Sequence, residues 1–288
     1  MQGGAVRAAV LMAVLVTVGG CLEQDGADVL GETMGPGVVG APVAINEPDP
    51  AAKARLVKTY GQLPLHFEAN HGQIDSQVRF LARGPGYGLF LTPTEAVLSV
   101  SGARADGEAG DKAFGRRSQI DTTRQALLRM KFLGAKPDPE MTGQEQLPGK
   151  SNYFVGNNPN TWQRNVPHFA KVRYHQVYPG IDLLFYGNHG HLEYDFIVQP
   201  GADPGTITLS FHGADAFEID REGNLVLQLA GRRITQRAPV VYQEHGEKRR
   251  QIHGLYVAHG EHGVGFEVAS YDHTKPLIID PLLVFQAT

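Results

Sequence analysis

The chain has 288 residues, with Gly (35) and Pro (18) raised above the average share of globular proteins. A hydrophobic content of 42% excludes wholesale disorder, and so many turn residues exclude a helical bundle. A formal net charge of −4 gives no basic bias, so nucleic acid is excluded as an expected partner.

Arg7 is the only charge before residue 23, and the apolar run Ala8–Val18 follows it. Spanning a bilayer takes about 20 apolar residues, so this run reads as the core of a signal peptide. It leads into Val18-Gly19-Gly20-Cys21, where Cys21 is the sole cysteine. An aliphatic residue, two small residues and cysteine resemble a bacterial lipobox. That resemblance implies cleavage after residue 20 and lipidation of Cys21, and multiple acyl chains anchor stably where one does not. Leu22 in place of aspartate implies the outer membrane of a bacterial envelope. With Cys21 lipidated no disulfide is available, so stability is expected from packing alone.

Residues 21–50 comprise the lipidated cysteine and a Gly/Pro/acidic stretch without apolar period, expected as a flexible tether. Asp49-Pro50, Lys53–Tyr60 and Gly61 have the cap, first-turn proline and terminating glycine of one short helix. Beyond Gly61 the period is two. Strands are expected at Val78–Ala82, Gly88–Leu91, Ala96–Val100, Leu127–Phe132, Tyr153–Val155 and Phe169–Tyr174. Others follow at Ile181–Tyr186, His191–Val198, Thr206–His212, Ala216–Asp220 and Leu225–Ala230. The last are Arg233–Thr235, Val240–Glu244, Gln251–Ala258, Gly263–Ser270 and Leu277–Ile279. Gly223, Gly246 and Gly260 fall where hairpins need positive φ. About sixteen short strands without intervening helices predict an all-β, antiparallel, sandwich-like architecture. Polar residues 101–125 are expected as a mobile loop. The Pro- and Gly-containing stretch 136–150 is expected to link a first β sub-domain (51–135) to a second, larger one (151–288).

Several phrases stand in a fixed order: Leu65-His66-Phe67-Glu68-Ala69-Asn70-His71-Gly72, Phe80-Leu81-Ala82-Arg83-Gly84, Leu147-Pro148-Gly149-Lys150-Ser151-Asn152-Tyr153-Phe154, Val177-Tyr178-Pro179-Gly180-Ile181-Asp182, Leu192-Glu193-Tyr194-Asp195-Phe196 and Ile279-Asp280-Pro281. Together, over about residues 56–285, they resemble a bacterial surface module of unknown function. That module usually precedes SBBP-type β-propeller repeats. Pro281 lies seven residues before Thr288, so the expectation is the module without its repeats, carried on a lipid anchor. The resemblance supplies no catalytic residues.

Chemistry-bearing residues concentrate in Asn188–Phe196. On one strand His189, His191, Glu193 and Asp195 share a face, opposite Leu192, Tyr194 and Phe196. Alternate imidazoles with a carboxylate can form a zinc or iron site; equally, the polar set can simply face water. Glu193, Asp195 and Glu68 also offer carboxylates for glycoside hydrolysis if a cleft brings two together. No Gly-x-Ser-x-Gly elbow occurs, and Gly84–Gly88 reads as a tight turn. Trp162, the only tryptophan, stands in an amide-rich loop. It is either a platform for sugar or protein, or a pin that fixes its loop to the core.

The expectation is therefore a non-catalytic envelope lipoprotein that binds, adheres or assembles at the surface. Its partners are the membrane, through the anchor, and an envelope glycan or surface protein. Trp162, Glu193 and Asp195 are the ligand-binding candidates. No cofactor, metal or catalytic residue is assigned, with His189, His191 and Glu193 the positions to watch for a metal. The alternative is a metal- or carboxylate-dependent hydrolase of envelope glycans or peptides.

Overall fold

A computed structural model describes residues 65–84, 86–101, 125–188, 191–246, 248–281 and 283–286. Cys21, the tether, the helix expected before Gly61 and nearly all of the loop expected at 101–125 lie outside them. Chain contacts divide Met1–Tyr60 from Gly61–Thr288, and every described residue belongs to the second unit.

That unit is built from antiparallel strands, as the period of two predicts. The first five are β1 (Phe67–Ala69), β2 (Phe80–Gly84), β3 (Tyr87–Leu91), β4 (Glu95–Ser101) and β5 (Gln125–Leu133). Two long strands follow, β6 (Glu140–Tyr153) and β7 (Gln163–Tyr178), then β8 (Ile181–Asn188), β9 (His191–Val198) and β10 (Thr208–His212). Next come β11 (Ala216–Ile219), β12 (Leu225–Leu229), β13 (Arg232–Gln236), β14 (Val240–His245) and β15 (Lys248–Ile252). The chain ends through β16 (Gly254–His259), β17 (Gly263–Val268), β18 (Leu277–Asp280) and β19 (Leu283–Gln286). Two single-turn 3₁₀ segments, Pro159–Thr161 and Pro204–Thr206, are capped by Asn158 and Asp203.

Fifteen strands form one sheet in the order β15-β14-β18-β9-β8-β7-β1-β2-β3-β4-β5-β10-β17-β16, with β6 on the outer edge of β7. The two ends of this path are neighbours in sequence, joined through His253 alone. The sheet therefore folds back on itself. Tyr174 of β7 meets Phe132 of β5 edge to face at 5.7 Å, and Phe196 of β9 meets Phe266 of β17 at 5.8 Å. Their polar ends are satisfied across the same gap: the Tyr174 and Tyr178 hydroxyls donate to the carbonyls of Thr92 and Thr208. Burying a large side chain stabilises by about 1.5–3 kcal/mol, and Tyr174, Tyr178, Tyr194, Phe185 and Phe196 are all at most 1% exposed.

A four-stranded sheet, β11-β12-β13-β19, shares this core through Leu225, Leu227, Leu229 and Ile234. Tyr194 of the large sheet donates to Gln236 of β13, whose amide donates to Tyr256. The core is one continuous cluster.

Three differences from the sequence reading concern the chain between its strands. Residues 140–150, expected as part of a link, form most of β6, because an edge strand needs partners on one side only and tolerates proline there. Pro148 and Gly149 occupy a register shift between Leu147 and Lys150, where neither has to pair. Strands from both expected sub-domains share one sheet, with β1–β5 as a block between the others: β1 pairs β7 at one end of it, and β5 pairs β10 at the other. Gln251–Ala258, read as a single strand, is broken at His253 where the sheet turns its corner.

Candidate functional site

The outer face of β1 carries a polar cluster that includes His66, Glu68 and His168. Alternation sends Phe67 into the core, fully buried, and leaves His66 and Glu68 on the opposite face. Antiparallel pairing sets Glu68 beside His168 of β7. The register shifts in the β6–β7 ribbon bring Ser151 and Tyr153 over the same patch. The Tyr153 hydroxyl donates to Glu68 Oε2 at 2.5 Å. Arg83 Nη1 donates to Glu68 Oε1 and to the Tyr153 oxygen, each at 2.9 Å. Ser151 Oγ lies 2.8 Å from His168 Nε2, and the His66 and His168 rings stack at 4.1 Å.

Glu68 is only 4% exposed. Burial alone would raise its pKa. His66, the Tyr153 hydrogen bond and the charges of Arg83 and His168 outweigh that and bring it down to about 2. Burial, reinforced by the bond to Glu68, pushes Tyr153 up to about 12. Burial and the neighbouring His66 lower His168, against the pull of Glu68.

The ligand atoms of His66, Glu68 and His168 lie within 4.8 Å of one another. As arranged they do not converge on a metal. An imidazole ligates through a lone pair in its ring plane, and these planes run side by side with only 21° between them. Both Glu68 oxygens are already engaged by Tyr153 and Arg83. Ser151 and His168 have the spacing of a nucleophile and its base, but the carboxylate that would orient the imidazole is committed to Arg83 and Tyr153. The chemistry these groups perform is to clasp the ribbon to the sheet.

The acidic strand β9 gives a second cluster. Leu192, Tyr194 and Phe196 enter the core as expected. Glu193, however, is 6% exposed rather than solvated, and accepts both hydrogen bonds of the Asn188 amide. Asp195 accepts from the Tyr186 hydroxyl at 3.0 Å. Burial first, then Asp280 and Glu193, raise Asp195 to about 7 against the opposing Tyr186 bond and Arg249. Burial and Glu193 raise Asp280 as well, and its Oδ1 is buried without a hydrogen-bond partner among the described residues. Burial and Asp195 push the Tyr186 phenol far up. His189 and the side chain of His191 lie outside the described residues.

Trp162 occupies the third place, the tip of the β6–β7 ribbon. It pins the loop to itself: Nε1 donates to the Gly156 carbonyl at 3.1 Å. Its ring meets Phe154 edge to face at 5.1 Å, and the Arg164 guanidinium lies over both rings at about 5.5 Å. Phe154 is 58% and Val155 51% exposed. The turn is fixed by Gly156 at φ +76°, by the Asn158 cap on Asn160 N, and by Asn152 accepting from the Asn165 amide. Sequence reasoning found Trp162 but missed Phe154 and Arg164, although both stand close to it in the chain. Arg83 and Tyr153 were missed as partners of Glu68, because 15 and 85 residues separate them from it.

The architecture is that of an all-β, antiparallel module. The chain belongs to the family DUF7948, a domain of unknown function, which matches residues 67–282. Neither curated proteins nor solved structures gave a match.

Proposed function

We propose that this protein is a non-catalytic binding module of the bacterial envelope, held at the outer membrane by a lipidated Cys21 and engaging its ligand through the ribbon tip. The observation that carries the reading is the group formed by exposed Phe154 and Arg164 around the half-buried Trp162, on a turn held by its own hydrogen bonds. Large aromatic and arginine side chains supply most of the energy at binding surfaces, and a preformed turn spares the cost of ordering on contact. The clasp around Glu68 holds Tyr153, the residue immediately before Phe154, and so fixes the base of the tip. The resemblance to a module of large exported surface proteins, and the lipobox, support the location.

Two measurements test it. Radiolabelled palmitate should label the wild-type chain and not Cys21→Ala; equal labelling of the two would sink the anchor. Detergent-solubilised wild-type protein is retained on an isolated envelope fraction, whereas Trp162→Ala is not; equal retention sinks the role of the tip.

One observation favours the alternative of a carboxylate-dependent hydrolase acting on envelope glycans or peptides: Asp195, at about 7, has the pKa of a general acid. Hydrolysis abolished by Asp195→Asn would support that reading over the first.

A further inference from the structure

The charge of the chain is unevenly distributed. It has 30 acidic residues, yet none lies between Gln146 and Ile181, a segment that holds Lys150, Arg164, Lys171 and Arg173. Lys171 is paired with Glu145 and Arg173 with Asp182. Among the described residues, Lys150 and Arg164 have no carboxylate within ion-pair distance. The two unneutralised cations thus flank the tip, one on each strand of the ribbon.

Between them the tip presents two kinds of group. Phe154, exposed, and Trp162, half-buried, offer the ring surface that Arg164 leaves open. Asn157 and Asn160 are exposed, and their side-chain amides make no hydrogen bond among the described residues, while Asn158 is spent on the cap. Amides both donate and accept, which matches the paired character of sugar hydroxyls. The tip is also small. A stable protein interface takes about 20–30 residues from each side, whereas Phe154–Arg164 is an eleven-residue stretch. A few sugar rings are of matching size.

Resting on the binding role given above to the ribbon tip, we propose that its ligand is an acidic polysaccharide. A pyranose ring packs on Phe154 and Trp162, the asparagine amides take its hydroxyls, and Arg164 and Lys150 pair with carboxylates on the polymer. The guanidinium, already held over both rings, is poised for a carboxylate in a fixed direction.

The test uses the full-length lipoprotein in detergent, with polygalacturonate as probe and its fully methyl-esterified form as the same backbone without charge. Trp162 is the only tryptophan, so its emission reports the tip directly. The expected result is a saturable change in Trp162 emission with polygalacturonate, weakened about tenfold by esterification and by Arg164→Gln, with a loss that grows with salt. Affinity electrophoresis should show retardation of wild type and not of Trp162→Ala, whose far-UV spectrum should match wild type because the hydrogen bond and ring contacts of Trp162 among the described residues are with its own loop. Equal binding of acid and ester would overturn the acidic ligand and leave the tip as a binding surface. Retardation unchanged in Trp162→Ala would overturn both. No change with polygalacturonate, alginate or heparin, or a response only to phosphatidylglycerol vesicles, would overturn the polysaccharide in favour of another partner.

Discussion

Tyr153 donates to Glu68 across 85 residues of sequence, and the bond ties the end of a 14-residue edge strand to a strand of only three residues. β1 has no length with which to hold β6. The side-chain bond, reinforced by Arg83, does what the ladder cannot.

Glu68→Gln should therefore destabilise the protein at pH 7 by about 2–3 kcal/mol, read by urea denaturation. The sign follows from a folded-state pKa of about 2, below the ordinary 4.5. The stabilisation is fully present above pH 4.5 and is lost as pH falls through 4.5 toward 2. The gap between wild type and the variant should narrow over that window, and a gap that stays constant would contradict the depressed carboxylate.

Asp195 behaves in the opposite sense. Its folded pKa, about 7, lies above the ordinary 3.8, so its ionisation opposes folding as pH rises between those values. Asp195→Asn should stabilise the protein at pH 8 by about 1–3 kcal/mol and have little effect at pH 4. A carboxyl resonance followed by NMR should titrate near neutrality; one midway through its change at pH 4 would refute the assignment.

Asp182 holds a local irregularity in place. It is 6% exposed, accepts from Arg173 Nε and Nη2, and accepts the backbone N–H of Gln176, a residue at φ +50°. Asp182→Ala leaves a part-buried guanidinium and an unsatisfied N–H, and should cost about 3 kcal/mol. Thermal denaturation of Asp182→Asn, which keeps an acceptor, should show a smaller loss.

Gly213 has the most restrictive surroundings of the turn glycines. It lies at φ +94°, and a Cβ there would sit 2.1 Å from the Leu127 carbonyl oxygen. Gly213→Ala should cost about 2 kcal/mol or more, read by urea denaturation. At Gly231, where φ is also positive but nothing approaches, the same change should cost less.

Much of the fold is legible because half-buried strands alternate. Leu192, Tyr194 and Phe196 go inward with Glu193 and Asp195 opposite, and Gly223, Gly246 and Gly260 all have positive φ at their hairpins. The strands that escape detection have other reasons to be strands. β1 is too short to show a period. β6 carries Gly143 because Phe169 lies where a Cβ would be, 2.4 Å away, so the glycine that looks like a loop residue is a packing requirement. The clasp is illegible in a deeper sense. Phrases containing Glu68, Arg83 and Tyr153 can each be singled out, but it takes the β1–β2 pairing to bring Arg83 to Glu68 and the ribbon's register shifts to bring Tyr153. Solvation of Glu193 is the natural expectation for a polar face, and it fails because Asn188 provides a partner that makes burial tolerable.

The position of β18 between β9 and β14 has a consequence for the order in which the molecule can be made. β9 ends at Val198 and waits for Leu277, some eighty residues later, before its free edge is covered. Closing such a loop costs entropy before any contact repays it, and folds dominated by distant pairings assemble slowly. A chain emerging N-terminus first exposes the edge of β9 until its last strands arrive, and β14 likewise lacks its partner on that side. Synthesis of this protein thus has a vulnerable interval whose length is set by residues 199–276, during which an unpaired apolar strand edge must be kept from its neighbours.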